Sequence, residues 1–216
     1  METLFLNRKL SLKTVPKIGI LLFLAFYSVS VILYAYELRQ FTSANVITIW
    51  NGYLCDLLDL QVLDLAPNPA RPFAIIALWS MCFGILFLWR NMVFSLQPYH
   101  KWQRLIWYGF AQVSVFSLLS LPFGSHDGVI LLSGTFGAVS VLFLCMTLKY
   151  NGYRKPYVCG MLFLTVFILN YLFYLFDLFT YVLPFIQKIT FSTFIVWYLL
   201  LDIMVTNNHA HLKKHL

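Results

Sequence analysis

Three aspartates, Asp56, Asp59 and Asp64, lie within one leucine-rich segment of a chain in which only 11% of the residues are charged. Their carboxylate oxygens could bind a divalent cation, which prefers oxygen ligands. Together with an imidazole, they could instead supply the acid and base of a hydrolytic or proton-transfer site. A third interpretation is that they only keep a surface helix in contact with water. Because their spacing matches no defined metal-binding loop, we predict no metal ion and no cofactor.

The composition indicates which class of protein holds these carboxylates. Of the 216 residues, 61% are hydrophobic, whereas soluble domains are roughly half apolar and about a quarter charged. Uncharged runs of about 18 residues or more can cross a hydrocarbon layer of roughly 30 Å. The chain has at least five such runs. We therefore predict a membrane protein.

Two other classes of protein are not favoured. The formal net charge is +7, but the basic residues flank the apolar runs and form no solvated patch, so no nucleic-acid partner is predicted. The four cysteines include no Cys-x-x-Cys pair. Neither a disulfide framework nor a zinc site is indicated.

Each apolar run is predicted to be a helix, because only helices and closed barrels satisfy their backbone hydrogen bonds in lipid. Continuous apolar runs also lack the alternation of barrel strands. The last run lies between Lys188 and Asp202, so a helix there requires Lys188 to extend its amine to one interface. We predict an all-α, polytopic bundle that forms a single membrane domain over residues 1–216. Its six predicted spans are approximately residues 17–37, 72–94, 104–125, 127–148, 156–177 and 185–206.

The orientation follows from the lysines and arginines, which accumulate on the cytoplasmic side of membrane proteins. With six spans, twelve of the 15 basic residues lie on the side of the two termini. The other three are Arg39, Arg71 and Lys188. Both termini are therefore predicted to be cytoplasmic.

The expected location is a bacterial inner membrane, or the endoplasmic reticulum if the chain is eukaryotic. In the second case the C-terminal Lys213-Lys214-His215-Leu216 resembles a dilysine retrieval signal. Membrane lipids are the predicted partners, and the oligomeric state does not follow from the sequence.

The only long connection is an outer loop, residues 38–71, between the first two spans. Asn51-Gly52 and Pro67-Asn68-Pro69 bracket a segment of helical length, with Leu54, Leu58, Val62 and Leu65 on one face. This pattern predicts a short helix that lies in the membrane interface.

The same outer side is predicted to hold a polar pocket. His126 is the only outer histidine and precedes the fourth span directly, although Ser125 or Asp127 could simply cap that helix. The candidate pocket residues are Asp56, Asp59, Arg71, His126, Asp127 and Asp177.

The fourth span also carries small residues that let helices approach closely. Gly134 and Gly137 are the predicted helix-packing positions.

Several features together resemble a six-helix membrane family known as domain of unknown function nine-nine-eight, which is distantly similar to DRAM and Sfk-type proteins. They are "CDLLD" after the first span, "NPARPF" at the second, the outer histidine, and "PFIQKITFSTFIVWYLLL" at the last. The family often has Ser-Asp-Leu-Gly where this chain has Cys55-Asp56-Leu57-Leu58. The resemblance implies the fold and an outer polar site, and it implies no reaction.

No nucleophile elbow, HExxH motif, P-loop or dinucleotide fingerprint is present, so the sequence does not decide whether the protein is an enzyme. Our first hypothesis is that the outer pocket binds or processes a lipid headgroup or a lipid-linked substrate. The alternatives are a transporter or channel for small solutes, in which polar groups would line a path through the membrane, and a non-catalytic assembly partner.

Overall fold

The computed structural model of the protein describes residues 2–41, 52–97 and 100–214, with side chains described between residues 14 and 207 of these ranges. The C-terminal retrieval-like tail and part of the outer loop therefore lie outside the described side chains. Six α-helices occur in the described part of the chain, which confirms the all-α prediction. They are α1 (Glu2–Phe41), α2 (Arg71–Ser95), α3 (Lys101–Leu119), α4 (His126–Tyr150), α5 (Arg154–Leu175) and α6 (Leu183–Lys214).

Five of these helices are long and apolar enough to cross a membrane, which indicates a membrane-embedded protein. The five stretches are Thr14–Phe41, Arg71–Ser95, His126–Tyr150, Arg154–Leu175 and Leu183–Asn207. The exception is α3, which has 19 residues and begins with a polar turn that contains Lys101 and Arg104. It ends at Leu119, so the third predicted span, residues 104–125, extends past the end of the helix.

The connections between helices gather at two ends of the bundle. At one end, Arg71 Nη2 donates a hydrogen bond to the carbonyl oxygen of Pro122 at 2.9 Å. At the same end, the Tyr53 hydroxyl donates to the carbonyl oxygen of Thr180 at 3.4 Å. We call this the acidic end; it comprises residues 52–71, 120–127 and 176–182 and holds all six candidate pocket residues.

The opposite end, which we call the basic end, joins the α2–α3 and α4–α5 connections. The Asn151 side chain donates to the Gln97 carbonyl oxygen at 2.6 Å and accepts from the Gln97 amide at 3.0 Å. Helix α3 therefore begins at the basic end and finishes at the acidic end, so it runs through the bundle as its neighbours do.

The interfacial helix predicted between the first two spans is not seen. In its place lie one 3₁₀ turn, Cys55–Leu58, and a small antiparallel hairpin of β1 (Gln61–Val62) and β2 (Ala66–Pro67). The turn of the hairpin holds Leu63 and Asp64 at φ 52° and 57°. A chain that passes through left-handed conformations at two successive residues cannot continue as a right-handed helix.

The core of the bundle is built around large aromatic side chains of α2, α3 and α6. Trp107, Trp197 and Tyr198 are completely buried. The Trp197 indole donates to the Pro156 carbonyl oxygen at 2.9 Å, and the Tyr198 hydroxyl donates to that of Pro16 at 2.9 Å. These bonds satisfy the polar atoms of two core rings and link α6 to α5 and α1.

The two glycines singled out in the fourth span face different neighbours. A Cβ atom on Gly134 would lie 2.6 Å from the ring of Tyr171 in α5, whereas one on Gly137 would lie 3.0 Å from Ser114 Oγ in α3. Gly134 therefore faces α5, and Gly137 faces α3.

Candidate functional site

Asn68 organises the loop at the acidic end. Its side-chain nitrogen lies 3.2, 3.3 and 3.0 Å from the carbonyl oxygens of Asp56, Leu57 and Asp59. Its side-chain oxygen accepts the Ala70 amide at 3.0 Å. The carbonyls of the 3₁₀ turn thus bond to a side chain and not to a continuing helix, which is a second reason for the absence of the predicted helix.

Asp56 lies where the loop meets the helices and is partly buried. Its Oδ2 accepts the backbone amide of Tyr53 at 2.8 Å. Burial raises the pKa of the Asp56 carboxyl, and the nearby charge of Asp59 acts in the same direction. The Tyr53 amide, Lys188 and His126 oppose this rise in pKa, because donors and positive charges stabilise the carboxylate.

Asp59 lies in the same loop and is exposed. Desolvation raises its pKa, the charge of His126 opposes this, and that of Asp64 adds to it. His126 thus acts electrostatically on both Asp56 and Asp59, so the structure brings these three candidate residues into one neighbourhood.

His126 and Asp127 form a second group with Tyr174 at the start of α4. The His126 Nδ1 atom lies 3.3 Å from Asp127 Oδ1 and 3.4 Å from the Tyr174 hydroxyl. The Tyr174 hydroxyl also donates a short hydrogen bond to Asp127 Oδ1. Sequence reasoning missed Tyr174, whose only signal was an aromatic ring near the end of an apolar run.

The Arg71 side chain links two loops through hydrogen bonds to their backbones. Its Nε donates to the Leu58 carbonyl oxygen at 3.0 Å, and its Nη2 donates to that of Pro122 at 2.9 Å. The guanidinium suits this task because it presents several donors in a fixed plane. Arg71 therefore holds the 3₁₀ turn against the α3–α4 turn.

Asp177 lies on the other flank of the acidic end, in the α5–α6 turn, where it is exposed and has φ 50°. Its charge acts on Tyr174, which links it to the group around His126. Burial, with the charges of Asp56 and Asp59, raises the pKa of Cys55 to about 12, so this thiol stays protonated and is poorly suited to act as a nucleophile.

A cavity of about 640 Å³ opens between α1 and α6, beneath the loop of the acidic end. Its size falls within the range of roughly 300–1,000 Å³ that is typical of ligand pockets. Apolar and aromatic side chains form most of its wall, and Asp56 and Lys188 are its charged members. The wall of α1 consists of Phe23, Leu24, Tyr27, Val31, Tyr34 and Leu38.

Lys188 joins the loop to α6 at the top of this cavity. Its Nζ donates to the carbonyl oxygens of Gly52 at 2.7 Å and Pro184 at 3.2 Å, and it interacts electrostatically with Asp56. The sequence predicts that the Lys188 amine extends to an interface, and it does not indicate Lys188 as a pocket residue. Its partners Gly52 and Asp56 lie more than 130 residues away in the chain, so no local pattern identifies it as a pocket residue.

Leu63 also lines the cavity, although its backbone is strained. A φ of 52° in a leucine costs about 1–2 kcal/mol relative to the right-handed region. Half of the Leu63 side chain is exposed, so burial in the core does not explain its position. Such strain persists where the surrounding structure imposes it, often at ligand sites.

Metal coordination was one interpretation of the carboxylates. Within the residues that the structure describes, no group of three or more His, Cys, Asp and Glu side chains is arranged to hold a metal ion.

Comparisons of the chain with protein-family models, with curated proteins and with solved structures find no match. The resemblance to the six-helix family of unknown function therefore stays a prediction.

Proposed function

We propose that the protein binds a membrane lipid, with an acyl chain in the cavity between α1 and α6 and the headgroup at the acidic end. One observation carries the proposal: a cavity with mainly apolar walls holds Asp56 and Lys188. An acyl chain requires an apolar surface, whereas a headgroup requires charged or hydrogen-bonding partners. Both occur in one cavity here.

The direction of the helices supports this placement. On α6, Lys188 lies near the first turn, and the cavity continues to Ile195, which is about 10 Å deeper at 1.5 Å per residue. The charged residues thus lie near the proposed membrane surface and the apolar residues lie below them.

The membrane topology that accompanies this function has six spans and cytoplasmic termini. Helix α3 runs from the basic end to the acidic end beside α4, and twelve of 15 basic residues lie at the basic end or towards it. By the positive-inside rule the basic end is cytoplasmic. The acidic end then faces the opposite side of the membrane.

The proposal is tested by filling the cavity. Ser192 lines it, whereas Val196 on the same helix is 53% exposed and does not. We expect Ser192→Trp to lose phospholipid that copurifies with the parent in mild detergent, as measured by native mass spectrometry, while Val196→Trp retains it. Equal retention by both variants would contradict the proposal.

A solute transporter is the second candidate, and one observation favours it. Among the described residues, Gln112 Nε2 and Asn170 Oδ1 are buried within the helices without a hydrogen-bond partner, as groups along a polar path would be. Neither residue lines the cavity. The test is whether each variant restores the phenotype of cells from which the protein has been deleted. If transport is the function, Gln112→Leu/Asn170→Leu fails to restore it and Ser192→Trp restores it. If lipid binding is the function, we expect the reverse.

A further inference from the structure

Two tyrosines of α1, Tyr27 and Tyr34, line the cavity, and their hydroxyls form no hydrogen bond with any residue that the structure describes. Both residues are half-buried. In the described part of the chain, neither hydroxyl is among the fully enclosed polar atoms that lack a partner, so both stay accessible to a molecule in the cavity. A hydroxyl in an apolar space needs a hydrogen-bond partner, which a ligand can provide here.

The depth of the two hydroxyls determines which part of a lipid each one meets. The apolar stretch of α1 covers Thr14–Phe41, and Tyr27 lies at its middle. Tyr34 is seven residues nearer the acidic end, which corresponds to about 10 Å at 1.5 Å per residue. The hydrocarbon layer of a membrane is about 30 Å thick, so the ester groups of a lipid, at its boundary, lie about 15 Å from the midplane. Tyr34 is therefore near the depth of the ester groups, and Tyr27 lies beside the acyl chain.

The surroundings of Tyr34 hold its ring below the loop of the acidic end. The ring packs against the buried cluster of Leu57, Ala70 and Ala74, which joins the loop to the start of α2. Asp56 acts electrostatically on Tyr34, but the hydrogen bond described for this carboxylate comes from the Tyr53 amide. The Tyr34 hydroxyl is thus a positioned donor, and a carbonyl oxygen, which only accepts hydrogen bonds, matches it.

Building on the proposed lipid-binding function, we propose that the Tyr34 hydroxyl donates a hydrogen bond to the ester carbonyl of the bound acyl chain. The cavity then selects ester-linked lipids over ether-linked lipids. An alkyl ether of the same length has no carbonyl oxygen, so it leaves the hydroxyl unpaired. A site that hydrogen-bonds its ligand rejects an analogue without the partner atom for this reason.

The test offers the purified, delipidated full chain an equimolar mixture of a diester and a diether phosphatidylcholine with equal chain lengths. Native mass spectrometry counts both bound lipids in one spectrum, because their masses differ. Loss of one neutral hydrogen bond corresponds to about fivefold in affinity. We expect the parent to prefer the diester lipid by that factor. Equal binding of the two lipids overturns the inference.

Three variants, each lacking one hydroxyl, assign the preference to a residue. Tyr34→Phe removes no hydrogen bond described within the protein and should bind the two lipids equally. Tyr27→Phe, deeper in the same cavity, should keep the preference of the parent. Tyr36→Phe should keep it as well, because Tyr36 is 68% exposed on the same helix and does not line the cavity. A preference that survives in Tyr34→Phe, or that is lost in either of the other variants, overturns the inference.

Failure of this inference is distinguishable from failure of the proposed function. If the parent binds the diester and diether lipids equally and Ser192→Trp binds neither, the cavity holds lipid without recognition of the ester. If Ser192→Trp binds as much lipid as the parent, the cavity is not the lipid site, and both proposals fail.

Discussion

The side-chain amide of Asn68 lies 3.0 Å from the carbonyl oxygen of Asp59, in a position where the residue itself is only 7% exposed. The same amide reaches the carbonyls of Asp56 and Leu57. One side chain thus holds the turn that presents Asp56 to the cavity.

Replacement of Asn68 by alanine is therefore expected to destabilise the loop. It removes the donor to the buried Leu57 carbonyl and the acceptor of the buried Ala70 amide, which costs about 1–3 kcal/mol, and it releases Asp56 from its position. We expect a lower melting temperature in detergent and less copurified lipid. Gln61→Ala, an exposed exchange on the same hairpin, serves as the control; a change in Asn68→Ala no larger than in this control contradicts the role of Asn68.

The stability of the protein should depend on pH through Asp56 and Asp59. Their folded-state pKa values are raised above the ordinary 3.8, chiefly by burial, so the folded protein binds more protons than the unfolded chain between 3.8 and the raised values. Stability then decreases as pH rises through this window and becomes constant above it.

We expect the melting temperature of the parent to fall as pH increases from about 4, and to fall less in Asp56→Asn/Asp59→Asn. Each single variant should lie between the two. Melting curves recorded in one detergent across pH 4 to 8 provide the measurement. Parallel curves for parent and double variant would show that burial of these carboxyls has no energetic consequence.

The glycines of α4 should differ in their response to a methyl group. In Gly134→Ala the new Cβ meets the Tyr171 ring at 2.6 Å, and that ring is held by a hydrogen bond from its hydroxyl to the Leu131 carbonyl at 3.1 Å. Overpacking of this kind costs about 1–3 kcal/mol. Gly137→Ala, at 3.0 Å from Ser114 Oγ, should cost less because a shift of a few tenths of an ångström relieves this contact, which is small enough for Ser114 to keep its hydrogen bond to the Ser133 carbonyl oxygen.

Gly109 in α3 provides the matched control, since a Cβ atom there has nothing within 4 Å. Alanine is favoured over glycine inside a helix by about 0.5–1 kcal/mol, so Gly109→Ala should raise the melting temperature. If Gly134→Ala is as stable as Gly109→Ala, the close approach of α4 to Tyr171 is wrong.

The orientation is tested by labelling from outside the cell. In a background without native cysteines, Leu65→Cys at the acidic end should react with an impermeant thiol reagent, because Leu65 is 64% exposed. Lys155→Cys at the basic end should react only after the cells are permeabilised. Reversed labelling would place the proposed headgroup site on the cytoplasmic side.

The helices could be predicted from the sequence because their signal is local. A run of apolar residues must close its own backbone hydrogen bonds in lipid, and the five stretches that qualify by length and composition lie where the runs predict them. The loop could not be predicted in the same way. Its leucine spacing is compatible with a helix, but the Asn68 side chain bonds to carbonyl oxygens that would otherwise accept helical hydrogen bonds. In addition, Leu63 and Asp64 have left-handed backbone conformations, which reverse the direction of the chain.

The sequence alone determined that the chain forms apolar helices and that acidic and basic residues segregate between their connections, since both properties follow from the order of residue types. Only the tertiary structure decided that Asp56 and Lys188 share a cavity, that Tyr174 joins His126 and Asp127, and that Arg71 bonds to backbone carbonyls. These relationships join segments that are distant in the chain. They depend on how the helices pack and on which backbone groups remain unpaired at their ends, and residue order does not specify either one locally.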